Sequence, residues 1–576
     1  MSGMFSRGRR KVAAVIAIAL VASLSQVGAT NAASPSAPKR GGSLKVGIFD
    51  SFVGWCMADN NANSALFGMR TIYEGFFEMR EDGKVVPWLV KDVAHSADYK
   101  TWSFTLRDGV TFHTGEKLDA AALALNIEAL RGSLYVNGLL GRKPSTPSPS
   151  TAAAFTANVN KVTVTGPMSV QVDLYKAQTD FPETMYASGR FVARAPSQLT
   201  GGKCSSEAVG TGPFKVSSWS PSELVVVKND AYWRKDAAGG KLPYLDKITF
   251  TFLVETKPRE QGVKNGSLDM AMFSSASESK QMGALLKNDN LTSLLQGPDH
   301  YPWIWFNQRV APFNNVDARL AFAYAMNREQ FVKVRQKGIP AAVPDSIVGP
   351  NNVMYNKAGF TKFDLAKAKE HAAKYKAATG KDIAAVFPYT AGSTESLANA
   401  TLIKQYAEAA GIQLTLLPQT TAEIITKFFP FQYQVASLTL AEGLGSGFTA
   451  PFLFTDASHG NPANPLTAAS KLAPALAQLA ILPRILNINW STDTTLDQIL
   501  IDARATPIAS QKKALYKQAT QRIQELAYAT PVAFTRYMLT YGKKVQGVNE
   551  LKLLSGGNRR PVTNFGIDLT GVWLDK

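Results

Sequence analysis

Residues able to do catalytic or metal chemistry are sparse in this chain. Its 576 residues include five histidines, and none forms the spaced pair that places two metal ligands on one helix face. These histidines are His95, His113, His300, His371 and His459. Neither a G-x-S-x-G nucleophile elbow nor a G-x-x-x-x-G-K-[ST] phosphate loop occurs. Motif chemistry therefore predicts neither a metalloenzyme nor a nucleotide-dependent enzyme.

Two features bear on whether the chain is an enzyme: one resembles an enzyme motif, and the other would leave no motif at all. Gly443, Gly445 and Gly447 resemble a nucleotide-binding loop, but no strand-to-helix unit with a downstream acid surrounds them, so a flexible loop is predicted. Paired carboxylates assembled by the fold would leave no local motif, and a secreted carbohydrate hydrolase stays a rival on that ground.

The cysteine content is low and points to a compartment. Cys56 and Cys204 are the two cysteines of the chain, too few for a structural zinc site. Outside the cytoplasm they are able to form a disulfide across a large loop, worth up to ~4–5 kcal/mol in the chain-entropy model. Two buried free thiols are the alternative; we expect the bond.

The N-terminus has the three-part layout of a secretory signal peptide. Basic residues precede an apolar stretch from Val12 to Leu24, and small residues follow through Ala32 and Ala33. Thirteen apolar residues are fewer than the ~20 that span a bilayer, so a membrane anchor is the less favoured interpretation. We expect a signal peptide over residues 1–33 and a mature protein that is soluble in the periplasm or outside the cell.

The composition is that of a globular protein with an excess of positive charge. Hydrophobic residues make up 45% and charged residues 18%, and the length implies at least two domains or lobes. The four basic residues of the leader leave +14 of the formal +18 on the remainder. Because these charges are scattered and not clustered, nucleic-acid binding is not predicted.

Strand and helix patterns alternate along the chain, which predicts an α/β protein. Alternation predicts strands at Leu44–Ile48, Trp102–Leu106 and Ile248–Phe252, and a hairpin joins Val162–Val164 to Val170–Leu174. Helical stretches are predicted at Asp119–Leu130, Asp364–Ala378 and Glu395–Ala410, the last ending at Gly411 before a strand at Ile412–Leu416. The stretch Lys143–Thr151, rich in proline and serine, is predicted to be an exposed loop.

Spaced motifs run from about Gly41 to the C-terminus. In order they are Val86–Leu89, Trp102–Gly115, Gly210–Phe214, Trp219, Asn229, Tyr232-Trp233, Pro243–Ile248, Gly266–Asp269, Phe306-Asn307, Pro312-Phe313 and Ala318–Arg328. Together they resemble the extracellular solute-binding proteins of the dipeptide, oligopeptide and nickel ABC importer family. The motifs themselves consist of turns and core residues, so they identify a scaffold and not a binding site.

The resemblance implies an α/β, two-lobe periplasmic-binding-protein-like fold with an interlobe cleft and two crossover strands. Lobe I is expected at 41–299, lobe II at 300–530, and the return to lobe I at 531–576. It also implies a monomeric receptor that encloses a small solute, expected to be a peptide, and delivers it to ABC importer permease subunits. No enzymatic step and no cofactor are implied.

The chain departs from the family where peptide-binding relatives carry an acidic tract. The matching region is Ser437–Phe448, where Glu442 is the one charged residue. A dipeptide held by its free amine is therefore less favoured than a longer or modified peptide. A polar solute such as an oligosaccharide or an opine conjugate is the alternative.

Three surfaces are candidates for solute contact, and each has packing within a loop or core as its alternative. The loop after the first strand offers Trp55, Asn61 and Asn63, because open α/β sheets bind ligands at the carboxyl ends of strands. Alternation places Trp303 and Trp305 on one face near the predicted crossover. The third surface is Glu442 beside Phe448, and Trp490 is a further single candidate. A sensor-coupled receptor on the same scaffold would be indistinguishable in sequence.

Overall fold

The computed structural model describes most of the chain after the predicted leader. The described residues are 37–49, 54–56, 66–134, 155–187, 189, 191–201, 203–275, 278–297, 301–337, 339–340, 343–428, 431–440, 453–454, 487, 489–560, 562–563 and 566–575. Residues Lys39–Lys576 form one compact unit. The predicted signal peptide and the predicted loop Lys143–Thr151 lie outside the described residues.

Strands and helices alternate through the compact unit. The strands are β1 (Ser43–Ile48), β2 (Phe77–Met79), β3 (Val85–Pro87), β4 (Val90–His95), β5 (Thr101–Leu106), β6 (Val159–Gly166), β7 (Ser169–Leu174), β8 (Phe214–Trp219), β9 (Glu223–Lys228), β10 (Lys247–Phe252), β11 (Met270–Ser274), β12 (Leu291–Leu295), β13 (Tyr301–Phe306), β14 (Ala384–Thr390), β15 (Gln413–Gln419), β16 (Val435–Leu440), β17 (Ala529–Pro531), β18 (Tyr537–Gly542), β19 (Val545–Gln546), β20 (Val562–Thr563), β21 (Gly566–Ile567) and β22 (Trp573–Leu574).

The helices are α1 (Leu66–Met69), α2 (Ala120–Arg131), α3 (Phe181–Ala187), α4 (Pro196–Thr200), α5 (Thr256–Asn265), α6 (Ser279–Leu286), α7 (Val316–Ala325), α8 (Arg328–Arg335), α9 (Leu365–Thr379), α10 (Thr394–Ala409), α11 (Thr421–Phe428), α12 (Thr494–Ala505) and α13 (Ala509–Glu525). The three helices predicted from sequence are confirmed within one residue at each end. Their boundaries follow from local chemistry, since the Asp119 and Asp364 side chains cap α2 and α9 and Gly411, with φ of 82°, follows α10.

A seven-stranded mixed sheet forms the centre of the first lobe. Its strand order is β12-β18-β11-β1-β10-β9-β8, with β1 parallel to both β10 and β11. Leu44, Val46 and Ile48 of β1 are buried while Lys45 is exposed, which confirms the alternation predicted for this strand. The first lobe therefore uses strands from both ends of the chain.

A second sheet of the first lobe has the order β4-β5-β7-β6. The predicted hairpin is confirmed: β6 and β7 are antiparallel, with Val162 opposite Val172 and Val164 opposite Val170. One face of this sheet contributes Val170, Val172 and Phe104 to a large hydrophobic core that also contains β1 and β10 residues. Both sheets of the first lobe thus share one core.

The second lobe is built around β13. Antiparallel pairing gives the order β16-β13-β17, and a parallel pair, β14 and β15, stands beside β16. Separate hydrophobic cores cover the two faces. One contains Ile304, Phe306 and residues of α7, α9 and α10; the other contains Trp303, Trp305 and residues of α12 and α13. A sheet enclosed by helices on both faces is the expected arrangement for an α/β lobe.

The chain passes between the lobes twice. It leaves the seven-stranded sheet after β12 and enters β13, and it returns from β17 to β18. The protein therefore has a two-lobe α/β fold with two crossover connections, as predicted. We keep 41–299, 300–530 and 531–576 as the proposed lobe boundaries.

Candidate functional site

The two crossovers lie beside a stacked pair of half-buried aromatic rings. Phe49 follows β1 directly, and its ring stacks on that of Tyr537, the first residue of β18, with centroids 6.3 Å apart and an angle of 18°. Both side chains are half-buried. The carboxyl end of β1 therefore lies beside the returning crossover, at the position where ligands bind in open α/β sheets.

Arg536 connects the two crossovers to each other. Its backbone N–H donates to the Ser275 hydroxyl at 2.7 Å, and the Ser275 N–H donates to the Arg536 carbonyl at 2.8 Å. The guanidinium donates to the carbonyl of Gly297, which lies just after β12. The Gln296 N–H donates to the Tyr537 carbonyl at 2.9 Å. We define Phe49, Ser275, Gly297, Arg536 and Tyr537 as the crossover floor.

The predicted Trp55 is part of a tightly packed loop. Its side chain is 1% exposed and makes an edge contact with Trp219, with centroids 5.4 Å apart. Adjacent Cys56 forms a disulfide with Cys204, as expected. The side chain of Gln198 donates to the carbonyls of both Trp55 and Cys204. Asn61 and Asn63 lie outside the described residues, so solute contact stays a prediction for them and for Trp55.

Trp303 and Trp305 share one face of β13, as the alternation predicts. Both are fully buried, and they contact each other edge to face with centroids 5.1 Å apart. Phe454 packs against both rings, and the Trp303 indole N–H donates to the Ile347 carbonyl at 2.6 Å. In this conformation they belong to the core of the second lobe, so solute contact stays a prediction for them.

Trp490 lies at the end of β13 that is remote from the crossovers. It packs edge to face on Phe431, with centroids 4.6 Å apart, and the Arg309 guanidinium lies 4.3 Å from its ring centroid. Register fixes the position: Tyr301, next to the crossover, pairs with Leu440, whereas Phe306 at the other end pairs with Val435. Since Arg309 follows Phe306 and Phe431 precedes Val435, this cluster stands away from the crossover floor.

An apolar cavity of about 440 Å³ lies near the same remote end of the sheet. Val386, Leu417, Phe428 and Tyr433 line it, together with Gln434. Gln434 is the residue just before β16, and its side-chain oxygen accepts from the Val386 N–H at 3.0 Å. The cavity is therefore distinct from the crossover floor, and sequence patterns gave no signal of it.

Strand β16 of the second lobe ends near the crossover, and the chain then enters the region of the predicted anchor, Glu442. Leu440, the last residue of β16, pairs with Tyr301, the first residue of β13. Glu442 and Phe448, which come next in the chain, lie outside the described residues, so their predicted contacts stay predictions.

A buried carboxylate in the first lobe has the features of a structural group. Glu74 is 6% exposed and accepts four hydrogen bonds. The donors are Trp88 Nε1 (3.0 Å), Trp233 Nε1 (2.9 Å), Tyr232 OH (2.8 Å) and Thr211 Oγ1 (3.0 Å). Burial raises the pKa of Glu74, and these bonds oppose that rise. With its lone pairs satisfied by core side chains, Glu74 stabilises the lobe and offers nothing to a substrate.

The described residues offer neither a cluster of metal ligands nor a helix that could span a membrane. Within those residues, no three or more His, Cys, Asp or Glu side chains gather where they could hold a metal ion. No described helix combines the length and apolar character needed to cross a bilayer.

Sequence reasoning missed Phe49, Arg536 and Tyr537. Phe49 directly follows the alternating strand β1, so the rule that ligands bind after strand ends could have identified it. Arg536 and Tyr537 lie in a crossover whose position the resemblance implied, but no local pattern distinguishes them. Their juxtaposition with Phe49 depends on pairing between the two ends of the chain.

Comparison with known proteins gives one family. The model of the bacterial extracellular solute-binding proteins, family 5 Middle, matches residues 84–462, about two thirds of the chain. A glutathione-binding protein of Pectobacterium atrosepticum is 27% identical over 482 residues, covering 83% of this chain and 86% of that protein. The nickel-binding periplasmic protein of Escherichia coli is 27% identical over 335 residues, covering 55% and 58%.

Solved structures agree on the fold. The binding protein AgaA of A. tumefaciens R10, in complex with agropinic acid, superposes with a TM-score of 0.76 at 18% identity, covering 93% of this chain and 99% of that one. The binding protein DppA of Helicobacter pylori, in complex with the peptide STSA, gives a TM-score of 0.74 at 18% identity, covering 93% and 99%. At these identities the likeness concerns the fold.

Proposed function

Because the chain belongs to the bacterial extracellular solute-binding proteins of family 5, we propose that it captures a peptide or peptide-derived solute between its lobes and presents it to an ABC importer. Binding without turnover is the activity: a solute that contacts both lobes stabilises the closed state by its higher affinity for that state. The permease then distinguishes loaded from empty receptor by shape.

The crossover floor is the observation that carries this proposal. Half-buried Phe49 and Tyr537 stack on each other beside the returning crossover, and we propose that they form an apolar platform facing the cleft, with Arg536 connecting the two crossovers next to them. Solute sites in proteins are concave and mostly apolar, with a few polar groups that set orientation. A platform of stacked rings contributes about 0.5–1.5 kcal/mol beyond area burial, so polar anchors must supply specificity.

We propose Glu442 as the main polar anchor. A single residue separates it from Leu440, whose pairing with Tyr301 lies next to the crossover. A carboxylate there suits the ammonium group of a peptide, and Phe448, Asn61 and Asn63 are proposed to complete the site. The glutathione-binding relative supports a modified peptide as the solute class.

Trp55, Trp303 and Trp305 are proposed to support the site from behind, because they are buried in this conformation. Trp490 is the least favoured contact, since it packs with Arg309 and Phe431 at the remote end of β13.

Export is part of the proposal. We infer that residues 1–33 are removed as a signal peptide, that the mature monomer acts outside the cytoplasm, and that it catalyses no reaction. N-terminal sequencing of the secreted or periplasmic fraction should begin near Ala33; a chain that starts at Met1 in the membrane fraction would contradict export.

The decisive experiment identifies the solute and then tests the anchor. Native mass spectrometry of the purified protein should reveal a co-purifying peptide-like compound that is released unchanged. Released products of cleavage would instead indicate a hydrolase, and a sugar or opine would redefine the solute class.

Glu442→Gln should weaken binding of that compound about ten- to a hundredfold in calorimetric titration, because a charge-assisted hydrogen bond contributes roughly 1.5–3 kcal/mol. Glu408→Gln, an exposed glutamate of α10 in the same lobe, is the matched control and should bind like wild type. Equal affinity for Glu442→Gln and wild type would show that uncharged groups hold the solute.

A further inference from the structure

The lobes also touch at a polar contact outside the two crossovers. Thr179, just before α3 in the first lobe, meets the turn between α12 and α13 in the second. Its N–H and its hydroxyl both donate to the Arg504 carbonyl, each at 2.9 Å. Lys512, in the first turn of α13, donates from Nζ to the same hydroxyl oxygen at 2.5 Å. These partners stand more than 320 residues apart in the chain.

Asp180 adds a charged contact beside Thr179. Its carboxylate is 6% exposed, and one oxygen faces both Lys512 Nζ at 3.5 Å and the Tyr516 hydroxyl at 3.4 Å. Tyr516 is one helical turn beyond Lys512, so the same face of α13 presents both groups. Burial raises the pKa of the Tyr516 hydroxyl, the charge of Asp180 raises it further, and the charge of Arg504 opposes the rise.

The first-lobe side of the contact is held rigidly. Gln178, fully buried, donates to the Thr184 hydroxyl at 2.8 Å and accepts from Asn158 at 3.0 Å. Its carbonyl accepts from the Trp102 indole at 3.2 Å. These bonds fix the backbone that presents Thr179 to the other lobe.

Two separate hydrophobic cores flank the contact. Phe181 belongs to the core of the first lobe, whereas Tyr516 belongs to the core of the second. The groups that meet between them are hydroxyls, a carboxylate, an ammonium group and backbone carbonyls. Because mainly polar groups meet here, water can replace their partners when the lobes separate, which suits an interface that opens and closes.

We propose that Thr179, Asp180, Arg504, Lys512 and Tyr516 form an interlobe latch that holds the two lobes closed even without solute. The latch connects the lobes at a place other than the crossovers and other than the apolar contact of Ile339 with the first lobe. It biases the open–closed equilibrium toward the closed state, so part of the receptor population is closed before solute arrives. This inference goes beyond the proposed function because it requires no particular solute.

The test measures the distance between lobes in solute-free protein. Nitroxide labels at Lys161→Cys on β6 and Lys517→Cys on α13 place one probe on each lobe, and both native lysines are exposed. Pulsed dipolar spectroscopy of this labelled protein, refolded free of bound solute, should give a short-distance closed population. Asp180→Asn and Lys512→Met should each reduce the closed-to-open ratio about tenfold, as expected for a lost charge-assisted hydrogen bond.

Matched controls separate the latch from general damage. Lys513→Met removes the neighbouring exposed lysine of α13 and should leave the distances unchanged. Thr179→Val removes the hydroxyl at nearly constant volume and should open the lobes, and Thr179→Ser should restore closure. Circular dichroism verifies that each variant is folded. Distances in Asp180→Asn, Lys512→Met and Thr179→Val that equal those of wild type, or a wild type without a closed population, would overturn the latch.

Discussion

Glu74 and Asp180 are equally buried carboxylates, each 6% exposed, with different partners. All four donors to Glu74 come from the first lobe. Asp180 accepts from Gln178 in its own lobe and from Lys512 and Tyr516 in the other. One carboxylate is satisfied inside a single core, and the other is shared across an interface.

The comparison shows that a buried carboxylate can stabilise the fold of one lobe or can join two lobes that move relative to each other. Breaking the bonds to Glu74 requires unfolding of the first lobe, because its donors are themselves core side chains. Breaking the bonds between Asp180 and α13 requires only that the lobes separate, since water replaces those donors. Substitutions inside the first lobe should therefore change unfolding, and substitutions at the latch should change interlobe distance.

The disulfide is the strongest link inside the first lobe. Cys56 and Cys204 are 148 residues apart, and a cross-link over a loop of this size contributes about 4–5 kcal/mol in the chain-entropy model. Replacement of both cysteines by serine should lower the free energy of unfolding in urea by about that amount while interlobe distances stay as in wild type. Unchanged stability would show that the bond does not form in the exported protein.

Glu74→Gln should cause the next largest loss. The carboxamide turns an NH₂ group toward indole and hydroxyl donors, which leaves buried groups unpaired at a cost of about 3–4 kcal/mol. Thermal and urea unfolding should show this loss, whereas Glu223→Gln at an exposed position on β9 should not. A Glu74→Gln protein as stable as wild type would remove the contrast with Asp180.

His113 gives a pH-dependent test inside the first lobe. Gly210 N–H donates to its Nδ1, and its Nε2 lies 3.1 Å from the Gly212 carbonyl, which fits the neutral ring. Burial lowers its pKa from 6.5 to about 4. The unfolded chain then binds the proton first, so stability present above pH 6.5 is lost as the pH falls toward 4, by about 2–3 kcal/mol.

His113→Gln should flatten this part of the curve of unfolding free energy against pH. A curve for His113→Gln that falls as steeply as that of wild type would assign the slope to other groups.

Glu183, on α3 near the latch, should make the unfolding free energy change with pH in the opposite direction. Burial first, and then the charge of Asp180, raise its pKa from 4.5 to about 7, while Lys512 opposes the rise. Folded protein therefore holds a proton that the unfolded chain has lost, so this contribution is complete below pH 4.5 and is lost as the pH rises to 7. Glu183→Gln should be more stable than wild type at pH 8 by about 2 kcal/mol and equal to it at pH 4. A variant with the wild-type slope would show that Glu183 is not the titrating group.

Much of the local structure could be predicted from sequence because it depends on neighbours in the chain. Asp364 caps α9, Gly411 ends the α10 segment, and the alternation of Val162 and Val164 defines one strand of a hairpin. The order of spaced motifs implied the two-lobe fold. Each of these signals lies in a short stretch of the chain or in the spacing of the motifs along it.

The site could not be predicted to the same degree because it is assembled over long range. Phe49 meets Tyr537 only through pairing of β1, β11 and β18, and Thr179 meets Lys512 only when both lobes are complete. The sequence makes Trp303 and Trp305 candidates for a solute platform, and the structure buries both in the core that covers one face of β13. Alternation identifies a shared face but not what covers it.

The position of β18 has a consequence for how the chain matures. This strand lies between β11 and β12, which pair with it on opposite sides, and it is made some 240 residues after β12. Until Tyr537–Gly542 emerges, β11 and β12 each present an unpaired edge, the kind of edge that recruits other chains. Sheet completion is therefore among the last events of synthesis. A chain that stops short of residue 537 should aggregate, and the nascent protein needs its open strand edges shielded until that residue is made.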